Sequence, residues 1–294
     1  MTISEFYSMF PTEDSCRQHL REEREASKII CKKCKCTKHY WLKGKEQWQC
    51  SNCEFRTTLR SGTLFESSKL SIRTWYQAIY LVSNTKKGMS ASELQRQLGL
   101  KRNEPAWYML QKIRKAMQSA NENIVLTNEI EMDDAFFTIV HSLNEKKENK
   151  RGRGTLKQKV VVMVESSSPT DGSHKGVCGK LRMVAVENLD QGSIWEIEDK
   201  LLKNTSVIRT DAYKGYNILD PMKHESSVVP SKIAHKLLPW VHTVIGNAKR
   251  LINGVYHHIS EKFVQLYLDE ISFKFNYRYS NNRWKVVFQE ALKI

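Results

Sequence analysis

Two cysteine pairs constrain this chain more than any other feature. Cys31-Lys32-Lys33-Cys34 and Cys50-Ser51-Asn52-Cys53 stand fifteen residues apart. Pairs of this kind at that separation are the pattern of a four-cysteine zinc ribbon, because each two-residue gap turns both thiolates toward one tetrahedral ion. In a reducing cytosol such pairs are metal ligands more often than disulfides. Between them, His39-Tyr40-Trp41-Leu42 and Gln47-Trp48-Gln49 flank Lys43-Gly44-Lys45-Glu46, which predicts two strands and a turn. About thirty residues cannot build a sufficient core alone, so Zn²⁺ on Cys31, Cys34, Cys50 and Cys53 would stabilise the ribbon. Cys36 is wrongly spaced from Cys31 for a zinc knuckle, and Cys16 and Cys178 lie outside the pattern.

The ribbon sits in a strongly basic chain of 294 residues with a formal net charge of +15. That balance implies a polyanionic partner, and nucleic acid fits better than an anionic membrane because no strongly amphipathic basic helix stands out. Met1 to Phe10 lacks the basic flank and apolar core of a signal peptide, and the longest purely apolar run, Val160 to Val164, is far too short to span a bilayer. The expectation is a cytoplasmic, nucleoid-associated protein with no membrane partner.

Taken in order, residues 1–28 predict a helical segment, with Thr12 capping a helix that buries Cys16 and Leu20. The ribbon occupies 29–66. Residues 67–120 read as helical: Ile72, Trp75, Tyr76, Ile79 and Val82 form one apolar face, Ser90 and Glu93 are spaced as a capping box, Gly99 is a stop, and Pro105 suits a first helical turn. Helix, glycine turn and basic second helix fit either a helix-turn-helix or an ordinary packed hairpin. On the first reading, Lys101, Arg102, Lys112 and Arg114 supply phosphate contacts. Lys150, Arg151 and Arg153 lie in a glycine-containing basic loop that either grips DNA phosphates or is simply a solvated surface loop.

Residues 128–294 carry the chemistry. The expected order is three strands, a helix over Asp190 to Lys203, a strand over Ser206 to Thr210, a short strand over Ser227 to Pro230, and helices to the end. This fits an α/β fold and in particular an RNase H-like domain. Asp133 follows Glu129-Ile130-Glu131-Met132 and Asp211 follows Val207-Ile208-Arg209-Thr210, so both carboxylates are expected on strands. From Val241 to Arg250 the spacing predicts a helix whose apolar stripe holds Val241, Val244, Ile245 and Ala248, with His242 and Lys249 nearly one above the other beside it. An aspartate at a strand end is ordinarily a turn residue or a cap. Two of them beside a polar helix in so basic a chain fit a Mg²⁺ site, since hard divalent ions take oxygen ligands and DNA supplies the rest.

An ordered set of segments resembles the DDE transposases of bacterial insertion sequences that carry an N-terminal zinc ribbon, relatives of the Merlin group. The set includes Phe10-Pro11 with Cys16, the ribbon, Leu98-Gly99-Leu100, Ile130-Glu131-Met132-Asp133-Asp134 and Arg209-Thr210-Asp211-Ala212-Tyr213-Lys214-Gly215-Tyr216. It continues through Leu238-Pro239-Trp240-Val241-His242, Ile245-Gly246-Asn247-Ala248-Lys249-Arg250, Gly254-Val255-Tyr256-His257-His258, Tyr267-Leu268-Asp269-Glu270 and Phe273-Lys274-Phe275-Asn276. The resemblance implies that Asp133 and Asp211 are the first two catalytic aspartates and bind Mg²⁺ or Mn²⁺. It also implies that Lys249 belongs to the catalytic set, holding a phosphate near the cut, that Arg250 binds DNA, and that the substrates are terminal inverted repeats and target DNA held by a homodimer or larger synaptic complex. The family pattern usually has a glutamate seven residues before the lysine, where this chain has His242. Asn247 competes for that role, and seven-residue spacing favours His242. The unusual third residue leaves open an alternative, a catalytically decayed transposase derivative that binds DNA and regulates.

Overall fold

The computed structural model describes residues 1–140, 157–167, 176–202, 204–228, 237–257 and 259–293. Lys150, Arg151 and Arg153 fall outside them. The chain forms two compact units.

The first unit comprises Met1–Thr85, Ala91–Ala116 and Ser280–Ile294. It opens with α1 (Ile3–Met9) and α2 (Glu13–Ala26), two helices where the sequence predicts one, because Phe10-Pro11 interrupts the run and Thr12 starts a new capping box with Ser15. Cys16 and Leu20 are buried as expected. The ribbon adds β1 (His39–Leu42), β2 (Gln47–Cys50) and β3 (Arg56–Thr58), all antiparallel. The turn between β1 and β2 is a 3₁₀ turn closed by Glu46 at φ 48°. Three helices follow: α3 (Ile72–Asn84), α4 (Ala91–Gln97) and α5 (Asn103–Glu122), the last crossing into the second unit. Gly99 ends α4 with φ +63°, a conformation that favours glycine, while Leu100 N–H bonds the Gln95 carbonyl.

Residues 280–294 join this unit rather than the strands with which the sequence reading grouped them. Their helix, α9 (Arg283–Ala291), stacks Trp284 on Phe288 at 4.9 Å and packs those rings against Phe10 and Tyr76. Each such ring contributes about 1.5–3 kcal/mol by leaving water, which a surface helix would forgo.

The second unit comprises Lys86–Ser90 and Met117–Tyr279. Its sheet contains β4 (Thr127–Phe137), β5 (Gln158–Ser167), β6 (Val177–Val186), β7 (Asn204–Asp211) and β8 (His224–Ser227), in the order β6-β5-β4-β7-β8. The first three are antiparallel, and β7 and β8 run parallel to β4. β8 lies a few residues before its expected place, since the Asp220 turn brings His224 level with Ile208.

Alternation along β4 sorts its side chains. Ile130 and Met132 enter a core with α6 (Gln191–Leu201), while Ala135 and Phe137 enter the opposite core with α7 (Pro239–Leu251) and α8 (Val264–Asn276). Glu131 and Asp133 share the α7 face by the same period of two. At the outer edge of β6, α8 substitutes for a missing strand. Asn276 accepts the Leu181 N–H at 2.7 Å and donates to the Leu181 carbonyl at 2.9 Å; Gln265 accepts from Ala185 and donates to Met183. This covers a backbone edge that would otherwise invite pairing. Among the described residues, no helix is long and apolar enough to cross a membrane.

Candidate metal centres and active site

The four ribbon cysteines converge. Their sulfurs all lie within 4.8 Å of one another, with Cys31 to Cys53 and Cys34 to Cys50 each at 3.5 Å. A tetrahedral ion with Zn–S bonds of about 2.3 Å needs sulfur separations near 3.8 Å, so the donor set fits Zn²⁺ with small adjustment. Cys36 points elsewhere, close to the Lys38 N–H and carbonyl and the Ser51 hydroxyl.

The second candidate centre lies where β4, β7 and α7 meet. The register between β4 and β7 pairs Glu131 with Arg209, and two residues on stand Asp133 and Asp211. Laterally matched residues of parallel strands about 5 Å apart project to the same face. From α7, His242 places Nδ1 3.4 Å from Asp133 Oδ2, with the aspartate side chain only 14% exposed. The other oxygen, Oδ1, accepts the Asp134 N–H at 2.8 Å. Asp211 Oδ1 accepts the Tyr213 N–H at 3.1 Å, closing the turn that follows β7. Two carboxylates and one imidazole suit a divalent ion of the Mg²⁺ or Mn²⁺ kind, the nitrogen favouring Mn²⁺. Among the described residues, the four cysteines are the only three-or-more group of possible donors drawn within 4.8 Å, so the aspartates and His242 adjoin without closing that far.

The two contenders for the third position lie apart. His242 faces Asp133, whereas Asn247, about 140° further round at 3.6 residues per turn, is exposed and accepts Arg250 Nη2 at 2.7 Å. Asn247 also lines a separate cleft of about 630 Å³ with Val244, Leu251, Ile271 and Phe275. Lys249 and Arg250 are exposed in the last turn of α7. Asp269 and Glu270, two further carboxylates on α8, are engaged in packing. Asp269 accepts from Gln118 and Gln265, and Glu270 accepts Tyr256 and pairs with Lys274 at 2.8 Å.

The basic residues of the helical region divide in two. Lys101 and Arg102 are exposed ahead of α5. Arg114 is 1% exposed and so is not a phosphate contact, correcting the sequence expectation. Lys112 is likewise occupied, its Nζ donating to the carbonyls of Leu64 at 2.8 Å and Glu66 at 3.0 Å. Apolar neighbours on α5 turn this face inward and take both cations with it.

Sequence reasoning passed over Glu131. This residue is 3% exposed, and its Oε2 accepts the N–H groups of Trp240 at 2.7 Å and Val241 at 2.9 Å, the first free donors of α7. Burial raises its pKa above the ordinary carboxylate value, partly offset by those two bonds. A signal was present in the sequence: Leu238-Pro239 opens a helix with no capping side chain of its own, so its donors must find an acceptor elsewhere.

The sheet order, with antiparallel strands on one side of β4 and parallel strands on the other and an aspartate on each central strand, defines an RNase H-like domain. The model of the ISXO2-like transposase domain matches residues 125–276. The chain belongs to this family of transposases. No curated protein matches it. Two solved structures overlap it: a pre-cleavage Mos1 transpososome (12% identity, 74% of this chain and 78% of that one, TM-score 0.27) and the Mos1 strand transfer complex (10%, 74%, 78% and 0.27). At these scores the likeness is too slight to argue from.

Proposed function

We propose that this protein is the DNA transposase of an insertion sequence, binding the terminal inverted repeats and catalysing metal-dependent cleavage and strand transfer. The observation that carries the reading is Asp133 beside His242, with Asp211 ending the parallel strand that pairs with β4, within a transposase-family domain. Mg²⁺ or Mn²⁺ held by Asp133 and Asp211 would supply Lewis acidity toward the phosphoryl oxygens. The chain's own groups supply position. His242 Nδ1 orients the Asp133 carboxylate, whose other oxygen is fixed by the Asp134 N–H. Lys249, exposed on the same helix, holds a DNA phosphate near the cut, and the exposed Arg250 beside it adds a further DNA contact. Lys101 and Arg102 contribute further phosphate contacts from the helical region. Cleavage and joining are both in-line attacks on phosphorus, so no covalent protein intermediate is needed. Two DNA ends must be held together, which calls for a homodimer or larger synaptic complex.

The test is cleavage and strand transfer on labelled duplex carrying the inverted repeats that flank the gene, in Mg²⁺ or Mn²⁺. Asp133→Ala, Asp211→Ala and His242→Ala are expected to abolish activity, and Asn247→Ala to retain it. Tight DNA binding with no cleavage in either metal, by folded and zinc-loaded protein, refutes the enzyme reading and favours the regulatory derivative.

A further inference from the structure

We propose that Glu131 is a positioning residue for the active site, fixing where His242 stands relative to Asp133. The inference rests on the reading of Asp133 and His242 as active-site groups. It begins with an uncapped helix: Leu238 offers α7 no side-chain acceptor, and Pro239 has no N–H to satisfy. The donors of Trp240 and Val241 are therefore the first that need a partner, and one oxygen of Glu131 accepts both. A carboxylate there also complements the positive end of the helix. The next residue along is His242.

The placement of this cap is what separates it from ordinary helix termination. A capping side chain normally comes from the residue just before the helix and ties the helix only to itself. Glu131 comes instead from β4, on the same face as Asp133 and two residues before it, a separation of about 7 Å along a strand. One strand thus grips α7 twice, at its N-terminus through Glu131 and at His242 through Asp133. The first grip sets both the height and the rotation of the helix, because two successive N–H groups converge on one atom. With the first grip lost, His242 keeps its chemistry and loses its registry.

The test uses the full zinc-loaded chain and Mn²⁺ alone as probe, titrated by electron paramagnetic resonance, with hydrogen exchange of residues 238–249 followed in parallel. Glu131→Ala is expected to raise the Mn²⁺ half-saturation about 10- to 100-fold, the usual effect of removing a group that orients a metal ligand, and to accelerate exchange at the start of α7. Glu131→Gln keeps a carbonyl oxygen for both donors and is expected within about threefold of the parent, while Glu131→Asp keeps the charge, falls one methylene short and shows most of the rise. Gln265→Ala, which loosens α8 from β6, serves as the stability control and is expected to leave Mn²⁺ binding unchanged. Unchanged half-saturation in Glu131→Ala overturns the proposal, as does an equal rise in Gln265→Ala. Should Glu131→Ala fail to fold, Glu131→Asp binding Mn²⁺ like the parent overturns it equally. A parent that binds Mn²⁺ and never cleaves DNA defeats the transposase reading and leaves the positioning role of Glu131 intact.

Discussion

Replacing Asn276 with alanine tests how the sheet edge is closed. The Asn276 amide meets both the N–H and the carbonyl of Leu181, at 2.7 and 2.9 Å, and Leu181 is fully buried at the rim of β6. Alanine leaves a buried donor and a buried acceptor unpaired, each costing about 1–3 kcal/mol. The expected loss is therefore about 2–6 kcal/mol, the lower end applying if water enters. For a unit of this size, 2 kcal/mol lowers Tm by about 4–8 °C. Asn276→Asp sharpens the argument. An ionised carboxylate still accepts the Leu181 N–H but sets an oxygen against the Leu181 carbonyl, and only protonation restores a donor. Its deficit relative to the parent must therefore shrink as pH falls from 7 toward 5. The assay is urea and thermal denaturation of zinc-loaded protein with hydrogen exchange read across β6. An alanine variant within about 0.5 kcal/mol of the parent, the range of an inconsequential surface change, or an aspartate variant indifferent to pH, refutes the strand-substitute account.

Two other outcomes are expected. Chelation should release one Zn²⁺ per chain and unfold the ribbon, whose metal binding is itself folding free energy of about 10–16 kcal/mol in isolated zinc peptides, while exchange protection across β4 to β6 persists; metal release and hydrogen exchange followed together check this. His19 and His224 have pKa values below the ordinary 6.5, in each case chiefly because burial disfavours the charged ring. The folded chain then binds fewer protons than the unfolded chain, so stability is complete above pH 6.5 and falls on acidification from there through the folded values. Melts between pH 5 and 7.5 should show this slope, and glutamine at both positions should flatten it.

How much the sequence disclosed follows from the range of each interaction. The ribbon was legible because a tetrahedral ion restricts spacing directly, and Gly99 because one backbone angle demands it. Asp133 and Asp211 could be set on strands by local composition, and His242 on the correct face of a helix by periodicity. Their approach to one another depends on strand order, which no local pattern carries. Arg114 shows the limit from the other side: its charge advertised a surface role, yet it lies on the inward, apolar side of α5 and is buried with it. The helix start at Thr12 was legible, but the separate α1 ahead of Phe10-Pro11 and the earlier start of β8 were not, because such short segments provide too few residues for a period to emerge. Glu131 was not legible as the acceptor, because the donors it serves lie 109 and 110 residues further along the chain.

The second unit is inserted within the first, and this shapes the order of events at the ribosome. The ribbon and α1 to α4 are made early, but Trp284 and Phe288, which complete their aromatic core, lie far beyond the end of α4 at Gln97, Trp284 being 187 residues further on (284 − 97). At about 5–20 residues per second that is a wait of about 9–37 s. During it, Phe10 and Tyr76 lack their final cover, and the inserted strands and helices can finish folding first. Any nascent chain cut short before α9 would thus carry the Asp133 site on a folded unit while the first remained incomplete, delaying competence until α9 has been made.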